Sequence, residues 1–336
     1  MILVTGGTGL VGAHLLLTLG GGKENIRALY RTEAAKEKTK HIFTHYKSES
    51  LFNKIEWIQG DIINIPSLEI AFTDIDYVYH CAAFISFDPD DEAAMRKVNI
   101  EGTANIVNCA LAFGVKKLCY VSSIAALGDP RENETAITET TEWNPEVRHS
   151  DYAISKHGAE MEVWRAWQEG LNTIIVNPGL IFGYGFWQQG SGKIFKAVKR
   201  GQYFYTKGSC GVIAVEDVVA IMVKLMESNI AGERYTLVSE QLSYREIINA
   251  IADGMHKKRP AVYATRLMTS VAWRIDWLLS KLLMRKRMLT RDMAIASHSH
   301  NSYDNSKIMK VFDYNFTEMK AYIKNLAKSV LTFKKL

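Results

Sequence analysis

The chain is short of the features that mark several large classes of protein. Its 336 residues hold four cysteines, Cys81, Cys109, Cys119 and Cys210, with no paired spacing of the kind a zinc site needs. Three lie in apolar runs, which reads as reduced core cysteine and not as a disulfide framework. No apolar stretch is long enough to span a bilayer, and no internal repeat or low-complexity tract is present. The net charge of +5 is mild and spread along the chain, with no dense basic stripe interleaved with aromatics, so nucleic acid is not the expected partner. The first residues, "MILVTGG", enter an apolar run at once and leave no room for the parts of a secretory signal. His298 and His300 in "SHSH" lack ligating partners and read as a solvated loop, so no metal site is expected. A cytoplasmic protein acting on a small molecule is the expectation.

What is present is a rhythm. Apolar-rich runs such as "ILVTG", "IRALYR", "KIEWIQGD", "IDYVYHCAA", "KKLCYVSS" and "NTIIVNPG" alternate with helical stretches. Strands alternating with helices imply a parallel sheet covered on both faces. The run at 117–122 is nearly all apolar, as a strand buried on both sides should be. Right-handed crossovers then give an α/β, doubly wound parallel sheet, the Rossmann arrangement. After Pro178 the rhythm changes to aromatics and glycines and then mainly helix. The expected organisation is a dinucleotide-binding domain over 1–179, with the helix in 213–230 returning to it. A smaller, mainly helical substrate domain is expected from 180–212 and 231–336.

"ILVTGGTGLVG" sets Gly6, Gly9 and Gly12 between an apolar strand and an apolar helix. Glycines allow a tight turn and a close approach of backbone N–H groups to a pyrophosphate, and the helix N-terminus adds partial positive charge. Gly6, Thr8, Gly9, Leu10, Val11 and Gly12 are therefore expected to cradle a dinucleotide. At the end of the second strand, Tyr30 stands where an NAD site wants a carboxylate, and Arg31 follows. A guanidinium grips a 2′-phosphate with two hydrogen bonds, which favours NADP. Glu33 lies near enough to keep NAD as the alternative. Asp61, with Ile62, follows the third strand and could accept from the adenine amino group or be a simple turn aspartate. Cys81, Ala82 and Ala83 give the fourth strand a small-residue end beside the cofactor, with His80 read as a packed histidine.

In "DYAISKHGAE", Tyr152 and Lys156 are four residues apart and so share one helix face. A free tyrosine titrates near 10. An ammonium about 4 Å away contributes on the order of 4 kcal/mol at near-surface dielectric, enough to bring the phenol down by up to about three units.

Taken together, "TGGTGLVG", "GD", "HCAA", "NIEGTANIV", "YVSSIAALG", "YAISK" and "NPGLIFG" resemble the extended short-chain dehydrogenase/reductase family over almost the whole chain. The late "YDNSKIMKVFDY" is similar to its dihydroflavonol-reductase-like and 3β-hydroxysteroid-dehydrogenase-like branch. The resemblance implies that Tyr152 is the acid/base, Lys156 its activator and Ser123 the ligand of the substrate oxygen. Asn99 would buttress the site. Val121 and the segment Pro178, Gly179, Leu180 and Ile181 would lie along the cofactor. It further implies a homodimer paired through helices around Asn99–Phe113 and Tyr152–Trp167. Dehydratase relatives carry acids just after the active hydroxyl, where this chain reads Ser123-Ile124-Ala125. Sugar-nucleotide epimerases carry an arginine and a histidine where this chain has Cys210 and Ala214. Phe84, Phe87, Phe186 and Trp187 are apolar candidates for the substrate pocket, or core residues. The expected reaction is NADPH-dependent reduction of a carbonyl compound, or its reverse. A sugar-nucleotide epimerase is the first alternative and a non-catalytic NADP sensor the second.

Two segments stand outside this reading. Leu267–Met288 has apolar residues at helical spacing with a basic end; packing over the pocket is favoured over lying on an anionic membrane surface. The trailing "FKKL" reads as a frayed basic end.

Overall fold

The structure is a computed structural model that describes residues 1–130 and 134–332; the trailing "FKKL" lies outside the described residues. The described residues form twelve strands: β1 (Ile2–Thr5), β2 (Ile26–Tyr30), β3 (Glu56–Gln59), β4 (Tyr77–His80), β5 (Lys117–Val121), β6 (Thr173–Pro178), β7 (Leu180–Phe182), β8 (Phe204–Tyr205), β9 (Ser209–Ala214), β10 (Glu233–Leu237), β11 (Glu240–Ser243) and β12 (Val262–Tyr263). Seven make one sheet in the order β10-β6-β5-β4-β1-β2-β3, and every pairing in it is parallel.

The alternation of side chains along these strands decides which face each covers. Ile2, Val4, Ala28, Tyr79, Cys119, Ile174 and Val176 point to one face, which is closed by Leu15 and Leu16 of the helix Leu10–Leu19 and by Val218, Met222 and Leu225 of the helix Val215–Glu227. Leu3, Leu29, Val78, Leu118, Tyr120 and Ile175 point to the other face. It is closed by the helices Ile65–Phe72, Gly102–Ala112 and Asp151–Gln168. Burial on both sides is why the strands read as apolar runs.

Lys117 is the exception within β5. Its buried ammonium donates to the Leu225 and Ser228 carbonyls at 2.6 and 2.7 Å, a cation set against the C-terminal end of the returning helix, where the macrodipole favours it.

The strand β10 corrects the expected organisation in one respect. Glu233–Leu237 lies in the stretch assigned from sequence to the second domain, yet it pairs with β6 from Glu233↔Ile174 to Leu237↔Pro178. Its length and its break from the helical rhythm around it were too slight to mark it. A separate three-stranded sheet, β11-β9-β7, underlies a third core of Phe182, Phe195, Leu242, Ile247 and Ile323. The chain crosses from one sheet to the other at Pro178–Gly179. A Cβ on Gly179 would lie 2.4 Å from the Gly211 carbonyl oxygen.

Asp217 ties the returning helix to the C-terminal region. Its buried carboxylate accepts from the Tyr314 hydroxyl at 2.9 Å, the Thr317 amide at 3.0 Å and the Thr317 hydroxyl at 3.1 Å. Asp217→Ala strands these donors and removes a favourable charge from the helix's first turn, so it should lower the unfolding free energy by about 2–4 kcal/mol. Urea denaturation of both proteins measures this, and a change within error would show that the network contributes little.

Candidate active site

The carboxyl ends of β1, β4, β5 and β6 meet at one edge of the sheet, where ligands of such sheets bind. After β1 the chain turns at Gly6, whose φ is +68°. A Cβ there would lie 2.5 Å from the Ala82 nitrogen, and one on Gly12 would lie 2.2 Å from the Gly6 carbonyl oxygen. The loop is thus pressed against the Cys81–Ala82 backbone in a way no larger residue permits. Gly9 caps the helix Leu10–Leu19 with no side-chain hydrogen bond, so its first-turn N–H groups, including those of Leu10 and Val11, suit an anion. A dinucleotide's pyrophosphate fits this cradle of open amides and close backbone.

At the end of β2, Tyr30 is nearly buried and packs edge-on to Trp57. Its hydroxyl donates to Glu33, and Lys36 bridges the same carboxylate at 3.4 Å while lying over the Tyr30 ring. The Tyr30 hydrogen bond, more than Lys36, holds Glu33 below the usual carboxylate range. Glu33 is therefore engaged locally and Arg31 is exposed. Lys36, one helical turn from Glu33, is a second cation at this strand end that the sequence motifs did not single out. Asp61 accepts from the Ile63 amide at 3.2 Å, the geometry of a turn aspartate. Ile62 is a core residue whose side chain crosses Gly102.

Asn99 sits in a π-helical turn, Lys97–Glu101, a distortion that recurs at functional sites. Its buried amide accepts from the Phe84 N–H at 2.7 Å and donates to the Phe84 carbonyl and the Ser155 hydroxyl, both at 2.9 Å. It thereby clamps the segment after β4 to the Tyr152 helix. Phe87 follows in that segment and is about half exposed, its ring 5.9 Å from that of Tyr152.

Ser123 follows β5 and caps a short 3₁₀ turn, accepting from the Ala125 amide at 3.1 Å. With that lone pair occupied, its O–H is left to donate outward. The Ser123 hydroxyl lies beside the Tyr152 phenol and favours its ionised form, against the effect of burial. The helix bearing Tyr152 begins at Asp151, capped by Ser150 accepting from Ala153 N–H, so Tyr152 stands in its first turn and Lys156 one turn on.

Lys156 is 1 % exposed. Its ammonium donates to the Tyr120 hydroxyl at 2.7 Å and the Val121 carbonyl at 2.8 Å, which uses two of its three donors. Burial lowers its pKa to about 7, against the pull of Glu160. This corrects the sequence expectation for Tyr152. Burial raises the phenol, and the neighbouring Ser123 hydroxyl offsets part of that, while the Lys156 side chain is turned down to Tyr120 and Val121. Tyr152 is a phenol that keeps its proton.

Sequence reasoning missed the layer beneath. Glu160 is wholly buried and accepts from the Ser122 hydroxyl at 2.6 Å and the Asn177 amide at 2.8 Å, while Arg234 from β10 pairs with it at 2.8 Å. Asn177 also donates to the Ser123 carbonyl at 3.0 Å. Glu160 lies four residues beyond Lys156, the spacing that could have flagged it. Tyr120 was legible only as a strand residue, whereas His80 is the packed histidine expected from the sequence. His80 joins Thr5 at 2.7 Å and Thr103 at 3.0 Å, and burial pushes its pKa down to about 3, so it is a neutral packed histidine.

Among the pocket candidates, Phe84 and Phe186 are partly exposed. For Trp187 the core reading holds: it is 2 % exposed and packs on Phe195 inside the third core. His298 is likewise buried and bonded to the Thr269 hydroxyl at 3.0 Å instead of lying in solvent. A groove of about 630 Å³ lined by Gly128, Trp143, His157, Trp164 and Arg234 lies elsewhere and includes none of Ser123, Tyr152 and Lys156.

Between about pH 7 and the ordinary lysine range, an unfolded Lys156 keeps its proton while the native one has lost it, so native stability gains with rising pH from this group. The stability of the wild type relative to Lys156→Met should therefore rise from pH 7 to about pH 10. Denaturant unfolding of both proteins across that range measures it, and a flat difference would contradict the burial argument.

The model of the NAD dependent epimerase/dehydratase family matches residues 2–238. A "Putative dihydroflavonol 4-reductase" of Synechocystis is 30 % identical over 73 % of this chain and 69 % of its own length. Sterol demethylase protein B of Methylococcus capsulatus is 28 % identical over 80 % of this chain and 79 % of its own. The UDP-glucose 4-epimerase of Thermotoga maritima superposes with a TM-score of 0.77 at 17 % identity, covering 98 % of both chains. The glycine cradle, the Ser123–Tyr152 pair and the matched span agree: the chain belongs to the NAD-dependent epimerase/dehydratase family and is an NAD(P)-dependent enzyme of the extended short-chain dehydrogenase/reductase type.

Proposed function

We propose that the protein reduces an apolar ketone or aldehyde to the alcohol with NADPH as reductant. The observation that carries this reading is the placement of Tyr152: its phenol, whose pKa burial raises, lies beside the Ser123 hydroxyl and is flanked by Phe87. Such a phenol is poised to give a proton to an oxygen that becomes an alkoxide. The Ser123 O–H donates to the same oxygen as charge develops. Asn99 keeps the Phe84 segment in register with the Tyr152 helix, and Lys156 in its protonated form would have a third N–H for a ribose hydroxyl. The cradle residues Gly6 to Gly12 would hold the pyrophosphate, with Pro178 to Ile181 beside the nicotinamide. When bound, the reduced nicotinamide supplies the hydride that the carbonyl carbon receives.

Arg31 and Lys36 place two cations at the end of β2 while Glu33 is occupied by Tyr30 and Lys36, which supports NADPH over NADH. Ala214 is wholly buried and Cys210 faces Tyr244, so neither position offers the arginine that would hold a nucleotide diphosphate. The names of the reductase and sterol relatives also suit an apolar substrate.

The test is cofactor oxidation against a panel of aromatic, alicyclic and acyl carbonyl compounds, with NADPH and NADH in parallel. Tyr152→Phe should lower kcat by about 10²–10⁴-fold with cofactor affinity little changed; full activity would refute the role. Arg31→Ala should raise KM for NADPH about tenfold or more and leave that for NADH nearly unchanged. Equal effects on both would remove the 2′-phosphate assignment. Interconversion of sugar-nucleotide epimers without net cofactor turnover would establish the epimerase reading instead.

A further inference from the structure

The helix Arg266–Leu282 is built inside out. Its protein-facing stripe is polar: Thr269 bonds His298, Asp276 accepts from Arg285 at 2.6 Å and from the Met288 and Leu289 amides at 2.8 and 3.0 Å, and Ser280 is buried behind it. Its solvent-facing stripe is apolar. Leu267, Val271, Ile275, Leu278 and Leu282, spaced four, four, three and four apart, are 75 %, 49 %, 53 %, 52 % and 70 % exposed, and Met284 just beyond is 94 % exposed. A contiguous apolar face of this size marks an interaction surface. The sequence expectation that this segment packs its apolar side over the pocket is thus reversed. The pattern of spacing was read correctly, but spacing does not say which stripe turns inward.

Charge identifies what covers it. Residues 266–291 carry seven basic side chains, Arg266, Arg274, Lys281, Arg285, Lys286, Arg287 and Arg291, against the single acid Asp276. That is a net +6 in a chain of net +5, so the rest of the protein sums to −1. Asp276 is itself neutralised by Arg285. Arg274 and Lys281 lie along the faces of Trp273 and Trp277 at 4.4 and 4.6 Å, leaving aromatic and cationic groups side by side, the composition of a segment seated at a lipid headgroup layer. No described helix is long and apolar enough to cross a membrane, and one of this length, about 25 Å, lies in the plane of an interface. A second copy would set two such cationic surfaces against each other and is disfavoured.

We propose that the helix Arg266–Leu282, with the turn through Met288, is a docking surface for an anionic lipid bilayer. The surface adjoins the reaction edge, since Lys286 pairs with Asp91 at 3.2 Å, and Asp91 accepts at 2.7 Å from Ser86, the neighbour of Phe87.

The experiment is co-sedimentation of the full chain with vesicles of phosphatidylcholine alone and of phosphatidylcholine mixed with phosphatidylglycerol. The wild type, Leu278→Glu/Leu282→Glu and Arg274→Gln/Lys281→Gln are compared, with thermal unfolding as the check that each is folded. The wild type should bind the anionic vesicles at least about tenfold better than the neutral ones, and each double variant should lose about tenfold or more of that binding while unfolding at the same temperature. Folded wild type that stays in the supernatant with anionic vesicles would overturn the proposal. So would a folded Leu278→Glu/Leu282→Glu variant that binds like the wild type. Sedimentation equilibrium showing a dimer that this variant dissociates would assign the face to a second copy and also overturn it.

Discussion

Two ionisable side chains buried one helical turn apart, Lys156 and Glu160, are the constraint around which the reaction edge is organised. A lone buried charge is expensive, so each must be surrounded by fixed partners, and those partners come from everywhere the site needs to be joined. Lys156 is held by Tyr120 and Val121 of β5, and Glu160 by Ser122, Asn177 of β6 and Arg234 of β10. Strand order, helix rotation and the position of Ser123 are thereby coupled. A shift of one residue in the helix or in either strand would leave a charge or a carbonyl unpaired.

The same burial sets the chemistry. The lysine sits low in its pKa range and the tyrosine high, so the pair differs from the picture of an ammonium stripping a phenol. Lys156 anchors the Val121 carbonyl and the Tyr120 hydroxyl from below. Proton donation to a developing alkoxide needs no lowered phenol pKa, so this arrangement is compatible with the proposed reduction.

Much of the parallel sheet was legible in the sequence, because strands covered on both faces must be apolar runs and the glycine turn must precede a helix. Gly6, Gly9 and Gly12 could be read from their spacing together with the apolar strand before them and the apolar helix after them. β10 could not: Glu233 and Arg234 open it with charges, and only the tertiary partners Lys307 and Glu160 explain them. At the site, Ser123, Tyr152 and Lys156 rested on resemblance, whereas Tyr120, Glu160, Asn177 and Arg234 act through distances that no local pattern encodes. Trp187, open between pocket and core in the sequence, is core, and in the helix Arg266–Leu282 an apolar stripe expected to be covered faces out. In both cases periodicity gives the faces of an element and not the direction in which they turn.

The measurement that bears most directly on the proposed reaction is the fate of the label from NADPH deuterated at the transferring position, followed by mass spectrometry of the product with an apolar carbonyl substrate. The expected result is one deuterium on the carbinol carbon of the released alcohol, with one cofactor oxidised per product formed. Product isomers free of label, with the cofactor returned to its starting oxidation state, would contradict it.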